Sequence, residues 1–148
     1  KKLRSLDNIK LHTDLIIGLP YETLEIFKTS FNELYSIHPH EIQVGFLKLL
    51  KGTDIYDKKD EFEYKFTNEP PYEILENKFI SYDQVRFLKK FEEVFEILCN
   101  SGYFKTTLSF LENKYSNYYT MYENITDYFI KNNSFNLFKI VIYKKIHC

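Results

Sequence analysis

Between Leu11 and Tyr56 the hydrophobic positions change period twice. In HTDLIIGLP, Leu15, Ile16 and Ile17 follow one another without a polar interruption, the pattern of a strand covered on both faces, and Gly18 with Pro20 stops the run. In YETLEIFKTSFNELYSI, Leu24, Phe27, Phe31 and Leu34 recur at spacings of three and four, which predicts an amphipathic helix. Glu22 and Glu25 fall in its first turn, where negative charge complements the helix dipole. His38-Pro39-His40 ends the helix, because Pro disfavours helical geometry in the residue before it. Ile42, Val44 and Phe46 then alternate as a second strand within EIQVGFLKLL, closed by Lys51-Gly52-Thr53. The result is one βαβ unit with parallel strands. In parallel α/β folds the loops leaving the carboxyl ends of strands carry the chemistry, so sites are expected around Gly18 and Lys48.

After Thr53 the pattern changes. Asp54 to Lys59 suits a single helical turn, and Phe62, Tyr64 and Phe66 alternate with Glu61, Glu63 and Lys65 as a half-exposed strand or extended arm. Asn68-Glu69-Pro70-Pro71 breaks that arm, and a boundary is expected here, giving domains 1–68 and 69–148. Ser81 and Gln84 form a capping box ahead of a helical run, Val85, Leu88, Phe91, Phe95 and Leu98, which Asn100-Ser101-Gly102 terminates. Further helices are expected near Phe104 to Lys114 and Tyr118 to Lys131, a turn at Asn132-Asn133-Ser134, and a strand over Leu137 to Tyr143. No internal repeat is apparent.

Composition narrows the class of protein. A chain of 148 residues with 44% hydrophobic positions can build one domain with a real core. One βαβ unit cannot, because two parallel strands leave both outer edges unpaired. Further strands must come from later in this chain, from another copy or from sequence outside it, and the last is expected, since the chain opens on Lys1-Lys2-Leu3 and its single Met is Met121. A net charge of −1 argues against nucleic acid, whose binders carry a basic excess. The sequence has no apolar run long enough to span a bilayer and no leader pattern, so a soluble, cytoplasmic protein is expected. Two cysteines far apart, Cys99 and Cys148, fit a reducing compartment. Ala and Trp are absent while Phe, Tyr, Lys, Ile and Asn abound, which points to an AT-rich bacterial source and to no mechanism.

Few residue sets offer chemistry of their own. Gly18-Leu19-Pro20-Tyr21-Glu22 lacks the glycines and the Lys of a phosphate loop, and Pro20 removes an amide donor. His38, His40 and Glu41 have the types of a metal cluster, but a loop beside Pro ordinarily exposes histidines, so no metal site is assigned. Cys99 reads as a small buried hydrophobe, and His147 and Cys148 as frayed ends. Asp14 and Glu22 could serve as a hydrolase pair, yet a polar strand residue and a dipole-complementing acid account for them better; no catalytic residue is assigned. The tyrosines from Tyr115 to Tyr128 recur at helical spacing without clustered Arg, which favours packing over base stacking.

The phrases DLIIGLPYET and VGFLKLLKGTDIY, separated by a helix, resemble the late part of the partial (β/α)6 barrel of radical S-adenosylmethionine enzymes, whose fifth strand ends in "D-x-I-x-G-x-P-x-E-T" and whose sixth ends near a "G-T" pair. The stretch from Pro70 to Leu111 is similar to the C-terminal helical region of such enzymes that also carry a cobalamin-binding domain. The fold this implies is α/β: a βαβ unit from the end of the barrel, then a mainly α-helical C-terminal region. By the resemblance, Ile16 contacts the adenine of the cofactor, Gly18 lets the cofactor approach, and Phe46, Leu47 and Lys48 supply an apolar wall and backbone groups. Tyr21 departs from the pattern, standing where glycine is common. The family's CxxxCxxC cysteines are absent, so the chain is expected to hold neither the [4Fe-4S] cluster nor S-adenosylmethionine alone, and to be inactive by itself.

The resemblance thus implies the C-terminal part of a cobalamin-dependent radical enzyme, methyltransferase- or cyclase-like, acting on an unknown substrate. S-adenosylmethionine, the [4Fe-4S] cluster and cobalamin would be completed by the N-terminal remainder of the same protein. A homo-oligomer formed through the cut barrel edge is compatible with the same surface. The alternative is a non-catalytic interaction or dimerisation module built from the aromatic-rich helices of Ser81 to Lys131.

Overall fold

The computed structural model describes residues 10–135. The chain is mixed α/β, with a parallel two-stranded sheet followed by a helical region. The described residues form two compact units that divide between Glu92 and Glu93, within a helix.

In the first unit β1 (His12–Ile17) pairs in parallel with β2 (Glu41–Phe46) across α1 (Leu24–Ser36), in a register that sets Ile16 opposite Gly45 and Ile17 opposite Phe46. Thr23 caps α1, its Oγ1 accepting the Ile26 N–H at 3.3 Å. Phe27, Phe31 and Tyr35 are the buried stripe of α1, shifted from the expected Leu24 and Leu34, which are only partly covered. Residues opposite each other in a ladder share a face. Ile17, Ile42 and Val44 are buried, and the Phe27 and Phe31 rings meet Phe91 of α3 (Tyr82–Phe95) at 6.4 and 5.1 Å. The other face bears exposed His12, Asp14, Ile16, Glu41 and Gln43. The expectation that β1 is covered on both faces is therefore corrected: one face is packed and the other is open.

A short helix α2 (Asp54–Asp57), capped by Thr53, follows β2. The alternation at 61–66 is real in burial, with Phe62 and Tyr64 inside and Glu61 and Glu63 outside, but only Lys65–Phe66 forms a strand, β3. It pairs antiparallel with β4 (Ile74–Glu76). The boundary expected at residue 68 falls inside this hairpin, where Lys65 pairs with Glu76, so the chain does not separate there. The capping box at Ser81 forms both of its bonds, Ser81 N–H to Gln84 Oε1 at 2.9 Å and Gln84 N–H to Ser81 Oγ at 3.4 Å.

In the second unit α3 runs into a π-helical turn, Glu96–Asn100, followed by α4 (Lys105–Glu112) and α5 (Tyr118–Lys131). Val94, Phe95, Leu98, Leu108, Tyr119, Met121 and Tyr122 are buried, and the Phe95 and Tyr122 rings meet edge to face at 5.0 Å. The tyrosines of α5 divide as a helix face requires: Tyr119 and Tyr122 lie inside and Tyr128 outside. Cys99 is only partly covered rather than buried. The strand expected over Leu137 to Tyr143 lies outside the described residues. No described helix is long and apolar enough to cross a membrane.

Candidate functional site

The strand ends meet where the sequence places them, but not all the expected site residues share a surface. Ile16 is 44% exposed on the open face, directly opposite Gly45. A side chain added at Gly45 would meet only the Leu15 carbonyl oxygen, at 3.9 Å. Together they are the apolar positions of this face, referred to below as the platform, beside the polar strip of Asp14, Gln43, His12 and Glu41. Phe46 instead lies on the helical face with Ile17, its ring under Lys89 Nζ at 5.4 Å. Phe46 and Ile16 are thus on opposite faces of the sheet. Leu47 donates its N–H to the Ile17 carbonyl at 2.9 Å, and one more step of alternation returns it to the Ile16 side. Lys48 is exposed and bridges to Glu73 by backbone pairing.

Gly18 has a different task from the one expected. Its φ of +97° requires glycine, and an added Cβ would lie 2.5 Å from Ile74 Cδ1. The room left by the missing side chain is filled by Ile74. The Gly18 carbonyl accepts from Tyr64 OH at 2.8 Å and from Asn77 Nδ2 at 3.0 Å, which uses both of its lone pairs. Its N–H donates to Glu22 Oε2 at 3.3 Å. Burial raises the Glu22 carboxyl above its ordinary range, against the opposing pull of the Gly18 and Leu19 amides. The Tyr64 phenol is likewise raised, first by burial and further by the Glu22 charge, while Asn77 acts against it.

Tyr21 occupies the left-handed region at φ +65°, which explains why glycine suits this position. A tyrosine there costs about 1–2 kcal/mol in backbone geometry. Ring contacts with Phe62 at 5.7 Å and Phe79 at 5.0 Å offset it, such pairs contributing roughly 0.5–1.5 kcal/mol each beyond area burial. Tyr21, Pro20, Asp54, Ile55, Lys58, Glu61 and Phe62 line a cavity of about 330 Å³ at the carboxyl ends of the strands. The hollow is open to solvent on the side of Tyr21, which is 67% exposed.

The remaining sequence candidates have local partners. Asp14 Oδ1 lies 3.0 Å from His12 Nε2, and Glu41 Oε2 lies 3.3 Å from His12 Nδ1. Glu41, then Asp14, raise the His12 imidazolium above its ordinary value, against the lowering effect of desolvation. Asp14 and Glu22, the conceivable hydrolase pair, are therefore engaged by different groups. His40 Nδ1 accepts the Leu11 N–H at 2.9 Å, and the His38 ring packs on Tyr35 at 5.8 Å. Among the described residues no group of three His, Cys, Asp or Glu side chains is arranged to hold a metal ion.

Comparison with known families reaches only the later part of this arrangement. Residues 60–145 match the family described as "Protein of unknown function (DUF4080)". The chain belongs to this family. No curated protein matches it. The DUF4080 match begins within the turn before Phe62 and so includes Tyr64, Ile74 and Asn77, the residues that hold Gly18. Sequence reasoning missed those three and Gly45. A signal for Gly45 existed, since glycine inside a strand pattern often marks close approach of another group. None existed for Asn77, whose partner is fifty-nine residues away.

Proposed function

We propose that this chain is the C-terminal part of a cobalamin-dependent radical S-adenosylmethionine enzyme, methyltransferase- or cyclase-like, in which it supplies two staves of a partial barrel and the substrate side. One observation carries the reading: a parallel strand pair is packed by helices on one face and leaves the other open, as a segment of barrel wall would. The strand-end phrases resemble those of the radical enzymes, and membership of DUF4080 is compatible with a region that accompanies such a barrel.

The open platform fits an adenosyl group in part. Ile16 and Gly45 offer an apolar surface without a projecting side chain at Gly45, and Leu47 extends it. Gly18 and Phe46 do not fit their expected contacts, because Ile74 fills the first and the second faces the helices. When bound to its cluster, S-adenosylmethionine would supply the radical chemistry. Ile16, Gly45 and Leu47 would hold the adenine, the Lys48 backbone would border it, and the open hollow beside Tyr21 would face the substrate side. Cobalamin, the cluster and its cysteines would belong to the N-terminal remainder, the partner of this chain in a cytoplasmic protein.

The test is S-adenosylhomocysteine binding by the product of the full reading frame. Gly45→Leu, which builds a side chain onto the platform, is expected to weaken binding about tenfold or more while the melting temperature stays within a few degrees. Unchanged affinity refutes the platform. A second reading rests on Tyr103, Phe110, Tyr128 and Ile130, which are 44–64% exposed in the helical unit and could form an interaction or dimerisation surface. Under that reading the 148-residue chain self-associates, and Phe110→Ser with Tyr128→Ser returns it to monomer.

A further inference from the structure

Contacts from one stretch of chain converge on the turn after β1. Tyr64 and Asn77 hold the Gly18 carbonyl at 2.8 and 3.0 Å, Ile74 fills the space a Gly18 side chain would take, and Phe62 and Phe79 flank Tyr21. The same stretch grips the end of β2. The Leu47 carbonyl accepts from the Ile74 N–H at 2.9 Å, and the Leu49 N–H donates to the Tyr72 carbonyl at 2.9 Å. Lys89, seated over Phe46, also pairs with Glu73. All of these gripping residues lie within 60–145, the part matched by DUF4080, whereas the gripped turn and strand end lie before it. Asn77 is itself anchored, its Oδ1 accepting the Phe79 and Ile80 N–H groups at 2.8 and 3.0 Å.

We infer that Phe62 to Ile80 is a strap that fixes the ends of both strands, with Tyr64 and Asn77 as positioning residues for the Ile16–Gly45 platform. Any bearing of the strap on an adenosyl ligand rests on the function proposed above. A carbonyl fixed by two side-chain donors cannot rotate without breaking both bonds, so the turn and the residue two positions before it keep one orientation.

Two variants separate the strap from ordinary stability. Tyr64→Phe removes one donor and little volume. Asn77→Asp keeps the acceptor for Phe79 and Ile80 but turns an oxygen toward the Gly18 carbonyl; protonation of the new carboxyl at lower pH restores a donor. In the 148-residue chain, hydrogen exchange of the Gly18 and Glu22 amides is expected to quicken about fivefold or more in both variants, with amides of α5 unchanged. For Asn77→Asp the gain shrinks, relative to wild type at the same pH, as pH falls. In the full-length protein S-adenosylhomocysteine binding is expected to weaken about fivefold or more in Tyr64→Phe at a melting temperature within a few degrees of wild type. Exchange at wild-type rates in both variants overturns the strap. Faster exchange with unchanged ligand affinity overturns the positioning role. A wild-type protein that binds no S-adenosylhomocysteine sinks the proposed function instead, and the exchange result then decides the strap by itself.

Discussion

Substituting Gly18 by Ala tests whether the β1–α1 turn is held as described. Two costs add. A Cβ in the left-handed backbone region, here at φ +97°, costs about 1–2 kcal/mol. The new methyl would also lie 2.5 Å from Ile74 Cδ1 and 3.2 Å from its Cγ2, and overpacking of this kind costs about 1–3 kcal/mol. The expected loss is therefore about 2–5 kcal/mol, a large share of the roughly 5–15 kcal/mol that holds a typical domain together. Ile74→Val removes the closest atom and alone costs about 0.5–1.5 kcal/mol. Combined with Gly18→Ala it relieves part of the clash, so the double variant should be more stable than the sum of the singles by about 1 kcal/mol or more. Urea unfolding followed by circular dichroism and tyrosine fluorescence gives these values, provided the m-value is unchanged across the set. A loss below about 0.5 kcal/mol for Gly18→Ala, or strict additivity with Ile74→Val, would refute the close approach.

Three further outcomes are expected. The Glu22 carboxyl is raised in the fold, so its ionisation favours the unfolded chain; stability from this group is full below the unfolded value of 4.5 and is lost as pH rises through the folded value, and Glu22→Gln should remove that fall in pH-dependent unfolding. His12 is raised by its carboxylate neighbours, so its contribution is full below 6.5 and disappears as pH rises through the higher folded value; in a nuclear magnetic resonance titration Glu41→Gln should lower the His12 midpoint more than Asp14→Asn does. Asn117 caps α5 through a 2.9 Å bond to the Thr120 N–H, and Asn117→Ala should cost about 0.5–2 kcal/mol in thermal unfolding, with Asn117→Ser recovering most of it.

Elements governed by local chemistry were legible in the sequence. The βαβ order, the Ser81 capping box and the span Tyr118–Lys131 follow from periodicity and caps, which act over a few residues. The open face of β1 was not legible, because three consecutive apolar residues read as two-sided burial whether or not anything covers the second side. The hairpin across the expected boundary was hidden for a related reason. Asn68 to Pro71 has the composition of a linker, but here it is the loop of a hairpin whose strands, Lys65–Phe66 and Ile74–Glu76, are too short to announce themselves. At the expected site, the structure sets Ile16 on the open face and Phe46 on the packed one, since a resemblance in sequence names positions while the side of a strand depends on register. Gly18 was recognised as necessary, though its neighbour is Ile74.

The central claim is that this chain completes a radical S-adenosylmethionine barrel begun elsewhere in the same protein. The most direct measurement is 5′-deoxyadenosine formation from S-adenosylmethionine under anaerobic, reducing conditions by the reconstituted product of the full reading frame. The account predicts formation by that protein, its loss in Gly45→Leu, and none by residues 1–148 alone. A full-length product that binds no iron-sulfur cluster and forms no 5′-deoxyadenosine would contradict it.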